Sequence, residues 1–284
     1  MWRGVASGGA VELATHVVIP DTQIEPGDPD DFCTWVGKYI VDQFAGKPNI
    51  KIKHLGDHAA MNSLSVHNTP EEAEGRTYED DIAAANTAWK KLNAPLVRYN
   101  ARRTPDKQWW PQRDLYLGNH ENHIPRTVGQ TPTLRGKLTV SDLDYERSGW
   151  TVHPFLDVHR DDGIAYSHYF QSASSPRPIG GMIETRIKTL GCSFVQGHQQ
   201  GLKAGMVETI AGRRRGIVAG SCYLKNEGYR GQNVGEWRGI LVLHECQDGD
   251  FDLMEVSLSY LCRKYEGVSI AEFMADRYGL PWAA

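Results

Sequence analysis

The chain has 284 residues, of which 40% are hydrophobic, and its 31 basic and 35 acidic residues leave a net charge of −4. This length suits one large α/β domain or two small ones, and the slightly acidic balance excludes the electrostatic footprint of a tight, general nucleic-acid binder. The five cysteines form no C-x-x-C pair, so we expect reduced thiols and not a disulfide framework. The N-terminus lacks the apolar core of a signal peptide, and no run approaches the ~20 apolar residues of a membrane span. We therefore expect a cytoplasmic protein that has no membrane partner.

Short apolar runs alternate with helical patterns along the chain, which is typical of an α/β fold. The first run, residues 17–19, precedes a helix for which Asp28 is the expected N-cap and the proline after it the first helical residue. The second run, residues 50–55, has the period-two alternation of a strand, and a second helix is expected to begin near Thr77. A loop then leads to the third run, residues 114–117.

The second half of the chain continues the alternation. After a polar, proline-containing region, a strand is expected at residues 163–170 and a loop at residues 172–181. The remaining expected elements are a helix at 182–190, strands at 192–195, 216–219, 240–243 and 251–258, and a last helix from Ser269, with Glu272 completing a capping box, to Gly279. No linker composition divides the chain, so we predict one domain, residues 1–284, with room for a small lobe within residues 58–113.

Five of the expected strands are each followed by residue types that ligate metals. These residues are Asp21-Thr22-Gln23, Asp57-His58, Asn119-His120-Glu121, His168 and His198-Gln199-Gln200, and three of the five groups follow a Gly. In an open α/β sheet the carboxyl ends of the strands line the binding crevice, so residues far apart in sequence are expected to converge at one edge. One such residue alone is more often an ordinary turn or polar residue, but chance would rarely place ligand types at all five ends.

The order of these motifs resembles the pattern of the calcineurin-like metallophosphoesterases, which is Asp-x-His, Gly-Asp, Gly-Asn-His-Asp/Glu, His and Gly-His-x-His. The resemblance covers residues 21–200, and its most specific piece is the Gly-Asn-His-Glu of residues 118–121. It implies a four-layer α/β/β/α sandwich with a two-metal phosphoesterase centre. The ligands that it implies are Asp21, Gln23, Asp57 and Gln200 for the first metal and Asp57, Asn119, His168 and His198 for the second, with Asp57 bridging the two. It also implies that His120 is the catalytic histidine beside the leaving group, with Asn119 and His120 contacting the substrate.

Phosphoester hydrolysis accounts for these residue types. Two divalent ions about 3.5–4 Å apart neutralise the phosphoryl oxygens, and a hydroxide held between them attacks in line. A bridging carboxylate such as Asp57 fixes the separation of the ions. A protonated imidazole, the role implied for His120, stabilises the leaving oxygen or gives it a proton. Because the ligands include only two carboxylates against two dications, the centre keeps a positive charge that attracts an anionic phosphate.

Four residues depart from the family pattern. Gln23 and Gln200 stand where the family usually has His, which makes the first site oxygen-rich and favours Mn²⁺ or Mg²⁺ over Zn²⁺, with Fe and Zn²⁺ as further alternatives. Ala60 stands where much of the family has the carboxylate that orients the catalytic His. Met61 stands where protein Ser/Thr phosphatases have a phosphate-clamping Arg, which argues against a phosphoprotein phosphatase.

The substrate is indicated only by weaker signals. The absent Arg and the loop that holds Arg102, Arg103 and Trp109 tilt the expectation slightly towards phosphodiesters, with a nucleotide or nucleic acid as the candidate substrate. Trp109 could stack on a base, although packing in the core or the lobe is the alternative for this residue. His123 is expected to lie in a surface loop and to be incidental to the site.

Two functions are compatible with the motifs. The first is metal-dependent hydrolysis of phosphoester bonds. The second is a catalytically weakened scaffold or binding protein on the same fold, which the two Gln substitutions would suit. We favour the enzyme, because a scaffold has no reason to keep His120 beside Asn119, His168 and His198.

The oxygen-rich first site predicts the order in which the ions are lost. Lacking two imidazoles, it should bind its ion more weakly than the second site, so chelation should empty it first. Stepwise metal titration followed by calorimetry should give two unequal affinities. Two equally tight Zn²⁺ ions would contradict our interpretation of Gln23 and Gln200.

Overall fold

A computed structural model describes residues 13–66, 74–210, 212–225 and 236–282. The described residues form a mixed α/β fold, as expected, with several sheets and six α-helices. The strands are β1 Ala14–Ile19, β2 Ile50–His54, β3 Gln112–Tyr116, β4 Thr151–His153, β5 His159–Asp161, β6 Ile164–Ser167, β7 Gln171–Ser172, β8 Ser175–Pro178, β9 Ser193–Gln196, β10 Leu202–Thr209, β11 Gly212–Ala219, β12 Gly239–Gln247 and β13 Asp250–Ser257. The helices are α1 Asp31–Phe44, α2 Tyr78–Ala101, α3 His123–Gln130, α4 Ile183–Leu190, α5 Leu258–Glu266 and α6 Ile270–Tyr278.

Two sheets carry most of the strands. The first has six strands in the order β13-β12-β1-β2-β3-β4, and the second has five in the order β10-β11-β9-β6-β5. The neighbours from β1 to β4 run parallel, as do β6, β9 and β11. A separate two-stranded hairpin joins β7 and β8. The parallel strands place their carboxyl ends at a common edge in each sheet, as the strand-end motifs require.

The alternation of side chains along each strand separates three hydrophobic clusters. In β1, Val17 and Ile19 belong to a cluster shared with α1, α2, α5 and α6, whereas Val18 belongs to one that also contains Val195 and Ile217 of the second sheet. A third cluster joins α4 to the other face of the second sheet. Helix α2 contributes Trp89 to the first cluster, and its predicted start is confirmed because the Thr77 side chain caps it by accepting from Asp80 N.

Two expected boundaries were wrong. Helix α1 begins at Asp31 and not beside Asp28, because Asp28 instead accepts a hydrogen bond from Glu25 N and forms an ion pair with Lys225. The expected loop at residues 172–181 contains β8 and the last residue of β7, because these two strands pair as an antiparallel hairpin. The capping box of Ser269 and Glu272 is confirmed.

No helix in the described ranges combines the length and the apolar character needed to cross a membrane.

A buried ion-pair network ties the edges of the two sheets together. The Lys53 side chain of β2 is fully buried, and its Nζ lies 2.8 Å from Asp114 Oδ2 and 2.6 Å from Asp161 Oδ2. Asp114 belongs to the first sheet and Asp161 to the second. Burial alone would raise the pKa of Asp161, but hydrogen bonds from Lys51 and Lys53 outweigh it and lower the pKa to about 2. The lysine therefore supplies a charge that both carboxylates require.

Replacing Lys53 should destabilise the fold strongly. Lys53→Met removes the fully buried ammonium that the two carboxylates share, and it leaves Asp161 with Lys51 and Asp114 with His153 as ion-pair partners. The loss of the shared charge should cost about 3 kcal/mol of unfolding free energy. Lys90→Met is the matched control, because its side chain is 72% exposed and should change stability by less than about 0.5 kcal/mol. Equal midpoints of urea unfolding for the two variants would contradict a structural role for the network.

Candidate metal centre

The carboxyl ends of β1, β2 and β3 bring three of the predicted motifs to one edge. Asp21 and Asp57 follow β1 and β2, and both are buried. The backbone N–H of Gln23 donates to the Asp57 carbonyl at 2.7 Å, and that of His120 donates to Asp57 Oδ1 at 3.0 Å. The second sheet joins them, since the backbone N–H of His198 donates to Asp21 Oδ2 at 2.9 Å. Backbone hydrogen bonds therefore fix the relative positions of the loops.

The four residues expected at the second metal lie in direct contact. The metal-ligating atoms of Asp57, His168 and His198 all lie within 4.8 Å of one another. Asn119 Oδ1 lies 3.0 Å from His168 Nε2 and 2.9 Å from His198 Nδ1. His168 donates its Nδ1–H to the Leu55 carbonyl at 2.7 Å, which leaves Nε2 as the ligand atom. One carboxylate, one amide oxygen and two imidazoles fit a divalent transition metal.

The residues expected at the first metal are also buried, and their chemistry differs. Asp21 is fully buried, and the side chains of Gln23 and Gln200 are nearly so. Gln200 Oε1 has no hydrogen-bond partner among the described residues. A buried acceptor without a partner costs roughly 1–3 kcal/mol, and a bound cation would remove that cost. The donor set therefore fits a hard divalent ion.

The charges of the centre favour a cation. Burial raises the pKa of Asp21 to about 7, with the charge of Asp57 adding to the rise and that of His168 opposing it. Burial alone would lower the pKa of His168, but the Asp57 carboxylate outweighs it and raises the pKa to about 10. The His168 charge in turn holds the pKa of Asp57 below its usual value despite burial. Two buried carboxylates thus create a pocket that stabilises positive charge.

Neighbouring atoms lie so close to the backbone that only glycine fits before three of the ligand groups. A Cβ on Gly118 would lie 1.9 Å from Asp57 Oδ1, and one on Gly197 would lie 2.3 Å from Asp21 Oδ1. Gly56 has a φ of +91°, and a Cβ there would lie 2.2 Å from the Tyr116 carbonyl oxygen. Only glycine lets the ligand loops pass this close to the two carboxylates.

Four of the nine non-glycine residues with positive φ in the described ranges lie in the loops of the centre. Gln23, Asp57, Met61 and His198 have φ angles of 41°, 47°, 48° and 64°, although none of them is a glycine. Each such residue costs on the order of 1–3 kcal/mol and persists only where the surrounding structure fixes it. The hydrogen bonds of the neighbouring loops supply that constraint.

Glu121 lies in the third strand-end motif, but no separate role was predicted for it. Its buried carboxylate accepts hydrogen bonds from four backbone N–H groups. The donors are Asp57 N at 3.0 Å, His58 N at 2.6 Å, Ala59 N at 3.0 Å and Gly118 N at 2.9 Å. The Tyr145 hydroxyl adds a fifth bond at 3.2 Å. This single side chain fastens the Asp57 loop to the loop that carries Asn119 and His120.

A backbone carbonyl orients the His120 ring. Its Nδ1–H donates to the Ala60 carbonyl at 2.6 Å, and its Nε2 lies 3.8 Å from Asp57 Oδ2. Burial would lower the pKa of His120, but the charge of Asp57 and the Ala60 carbonyl raise it. His123 was wrongly expected in a surface loop: it is buried at the start of α3, with its ring centroid 5.4 Å from that of His120.

The structure does not bring Arg102, Arg103 and Trp109 to the centre. All three precede β3, whose amino end lies at the sheet edge opposite the carboxyl end that leads to Asn119. Trp109 Nε1 donates to the Lys47 carbonyl at 2.9 Å, and the Arg103 guanidinium lies 3.3 Å from the Tyr99 ring centroid. The expected substrate contacts of Arg102, Arg103 and Trp109 were therefore wrong.

Comparison of the chain with known protein families gave no match, and comparison with curated proteins gave no significant one.

Replacing Glu121 should loosen the whole centre. Glu121→Gln keeps the size of the side chain but turns an NH₂ group towards backbone N–H donors, so at least about 2 kcal/mol of stability should be lost. Mn²⁺ affinity should fall as well, although Glu121 is not a ligand. Glu255→Gln, on the exposed surface of β13, is the matched control. Unchanged stability and Mn²⁺ affinity in Glu121→Gln would refute the fastening role.

Proposed function

We propose that the chain is a metal-dependent phosphoesterase of the calcineurin-like kind. The observation that supports this most is the convergence of Asp57, Asn119, His168 and His198, which five ordered motifs led us to expect. The three hydrophobic clusters support a helix–sheet–sheet–helix arrangement, and we propose the four-layer α/β/β/α sandwich as the fold.

The chain's own residues suit the steps of the reaction. Two divalent ions, Mn²⁺ foremost with Mg²⁺, Fe and Zn²⁺ as alternatives, would neutralise the phosphoryl oxygens and supply an activated water. Asp57, which the two predicted ligand sets share, would hold the ions at a fixed separation. His120 has committed its Nδ1–H to Ala60, so the proton that it can give to the leaving oxygen sits on Nε2. The Asp57 carboxylate raises the pKa of His120 despite burial, which favours the protonated imidazole.

We propose phosphoesters as substrates, with a slight preference for diesters such as nucleotides or nucleic-acid ends. The alternative is a weakened scaffold that binds metal and does not turn over. The hydrogen bond from His120 to Ala60 favours the enzyme, because it aims a histidine that is not needed as a ligand at Asp57.

Hydrolysis of p-nitrophenyl phosphate and bis-p-nitrophenyl phosphate with Mn²⁺ tests the proposal. His120→Ala should lower kcat by about 10²–10⁴-fold and leave Mn²⁺ binding intact, because the residue moves a proton and holds no metal. His244→Ala, in β12, is the matched control and should keep full activity. The scaffold alternative would be supported instead if Mn²⁺ bound tightly, neither ester were hydrolysed, and His120→Ala changed nothing.

A further inference from the structure

Two aromatic rings stand beside the imidazoles of the candidate metal centre. Tyr169 directly follows His168, and its ring centroid lies 4.8 Å from that of His198. Phe155, between β4 and β5, packs edge-on against Tyr169 with centroids 5.5 Å apart and lies 6.4 Å from the His168 ring. We call Phe155 and Tyr169 the aromatic wall.

The aromatic wall is not part of the hydrophobic core. Neither ring belongs to any of the three hydrophobic clusters, and both remain partly exposed. The next residue after Tyr169, Phe170, shows the contrast, since it is buried in the cluster beneath α4. Packing therefore accounts for Phe170 and leaves the exposed surface of the wall without a structural role among the described residues.

The wall is held in place. The Gln171 side chain hydrogen-bonds the Tyr169 hydroxyl and also donates to the Pro176 carbonyl of β8. Leu156, next to Phe155, has a φ of 68°, a left-handed conformation that a bulky residue adopts only under constraint. Rings that are already ordered lose little conformational entropy when a ligand stacks on them.

We propose that the aromatic wall binds a planar aromatic group of the substrate, such as a nucleobase or an aryl ester, while the phosphate lies at the metals. This inference rests on the proposed function. Apolar ring surface next to a charged centre matches a molecule that joins an anionic phosphate to a flat ring. Stacking on aromatic side chains tolerates any base, so the wall would select the class of substrate and not one sequence.

Binding to the Mn²⁺-loaded full chain separates this inference from the proposed function. The probes are adenosine 5′-monophosphate and ribose 5-phosphate, which share the phosphate and sugar and differ in the base. The wild type should bind the nucleotide about tenfold more tightly by calorimetry. Phe155→Leu and Tyr169→Leu should lose most of that preference and keep their affinity for ribose 5-phosphate.

Two further variants control for nonspecific effects. Tyr169→Phe keeps the ring and should keep the preference. Trp110→Leu removes an exposed aromatic residue that precedes β3 at the opposite sheet edge, and it should also change nothing. Equal wild-type affinities for the two probes, or a preference that both leucine variants retain, would overturn the inference. Failure of the wild type to bind ribose 5-phosphate with Mn²⁺ would instead overturn the proposed function, and this inference with it.

Discussion

The carboxylate of Glu121 holds together the two loops on which the candidate metal centre depends. It accepts hydrogen bonds from four backbone N–H groups and one hydroxyl, and the residue is fully buried. Those bonds keep Asp57 in a left-handed conformation and place Gly118 against its carboxylate. A charge-assisted hydrogen bond contributes roughly 1.5–3 kcal/mol, so the set can offset the strain of several left-handed residues. The relative positions of the candidate ligands in these loops therefore depend on the Glu121 hydrogen bonds.

The sequence predicted which residues converge better than how they are held. Ligand types after successive apolar runs placed Asp57, Asn119, His168 and His198 at one edge, because parallel strands align their carboxyl ends. The sequence could not show that Glu121 is an acceptor for backbone groups more than 60 residues away, since its five donors come together only in the folded chain. The orientation of His120 was hidden for the same reason: its partner is the carbonyl of Ala60, which any residue at that position would provide.

The other features that the sequence did not predict have similar causes. Asp28 has every local feature of an N-cap, yet its contact with Lys225, distant in sequence, moved the start of α1 to Asp31. The composition of the loop suggested that Trp109 and its neighbouring arginines contact the substrate. The direction of β3 places them at the sheet edge opposite the candidate metal centre. Phe155 and Tyr169 carried no motif, and only the folding of β4 to β6 around His168 brings them to the metal ligands.

Anomalous diffraction at the Mn absorption edge from crystals grown with Mn²⁺ would locate the bound ions. The strongest peak is expected about 2.0–2.3 Å from ligand atoms of Asp57, His168 and His198, with a weaker one beside Asp21 and Gln200. Asp114, His153 and His159 also lie within 4.8 Å of one another, but the Lys53 ammonium 2.8 Å from Asp114 should keep a cation away. A Mn²⁺ peak at that second cluster, with none at Asp57, would contradict the account.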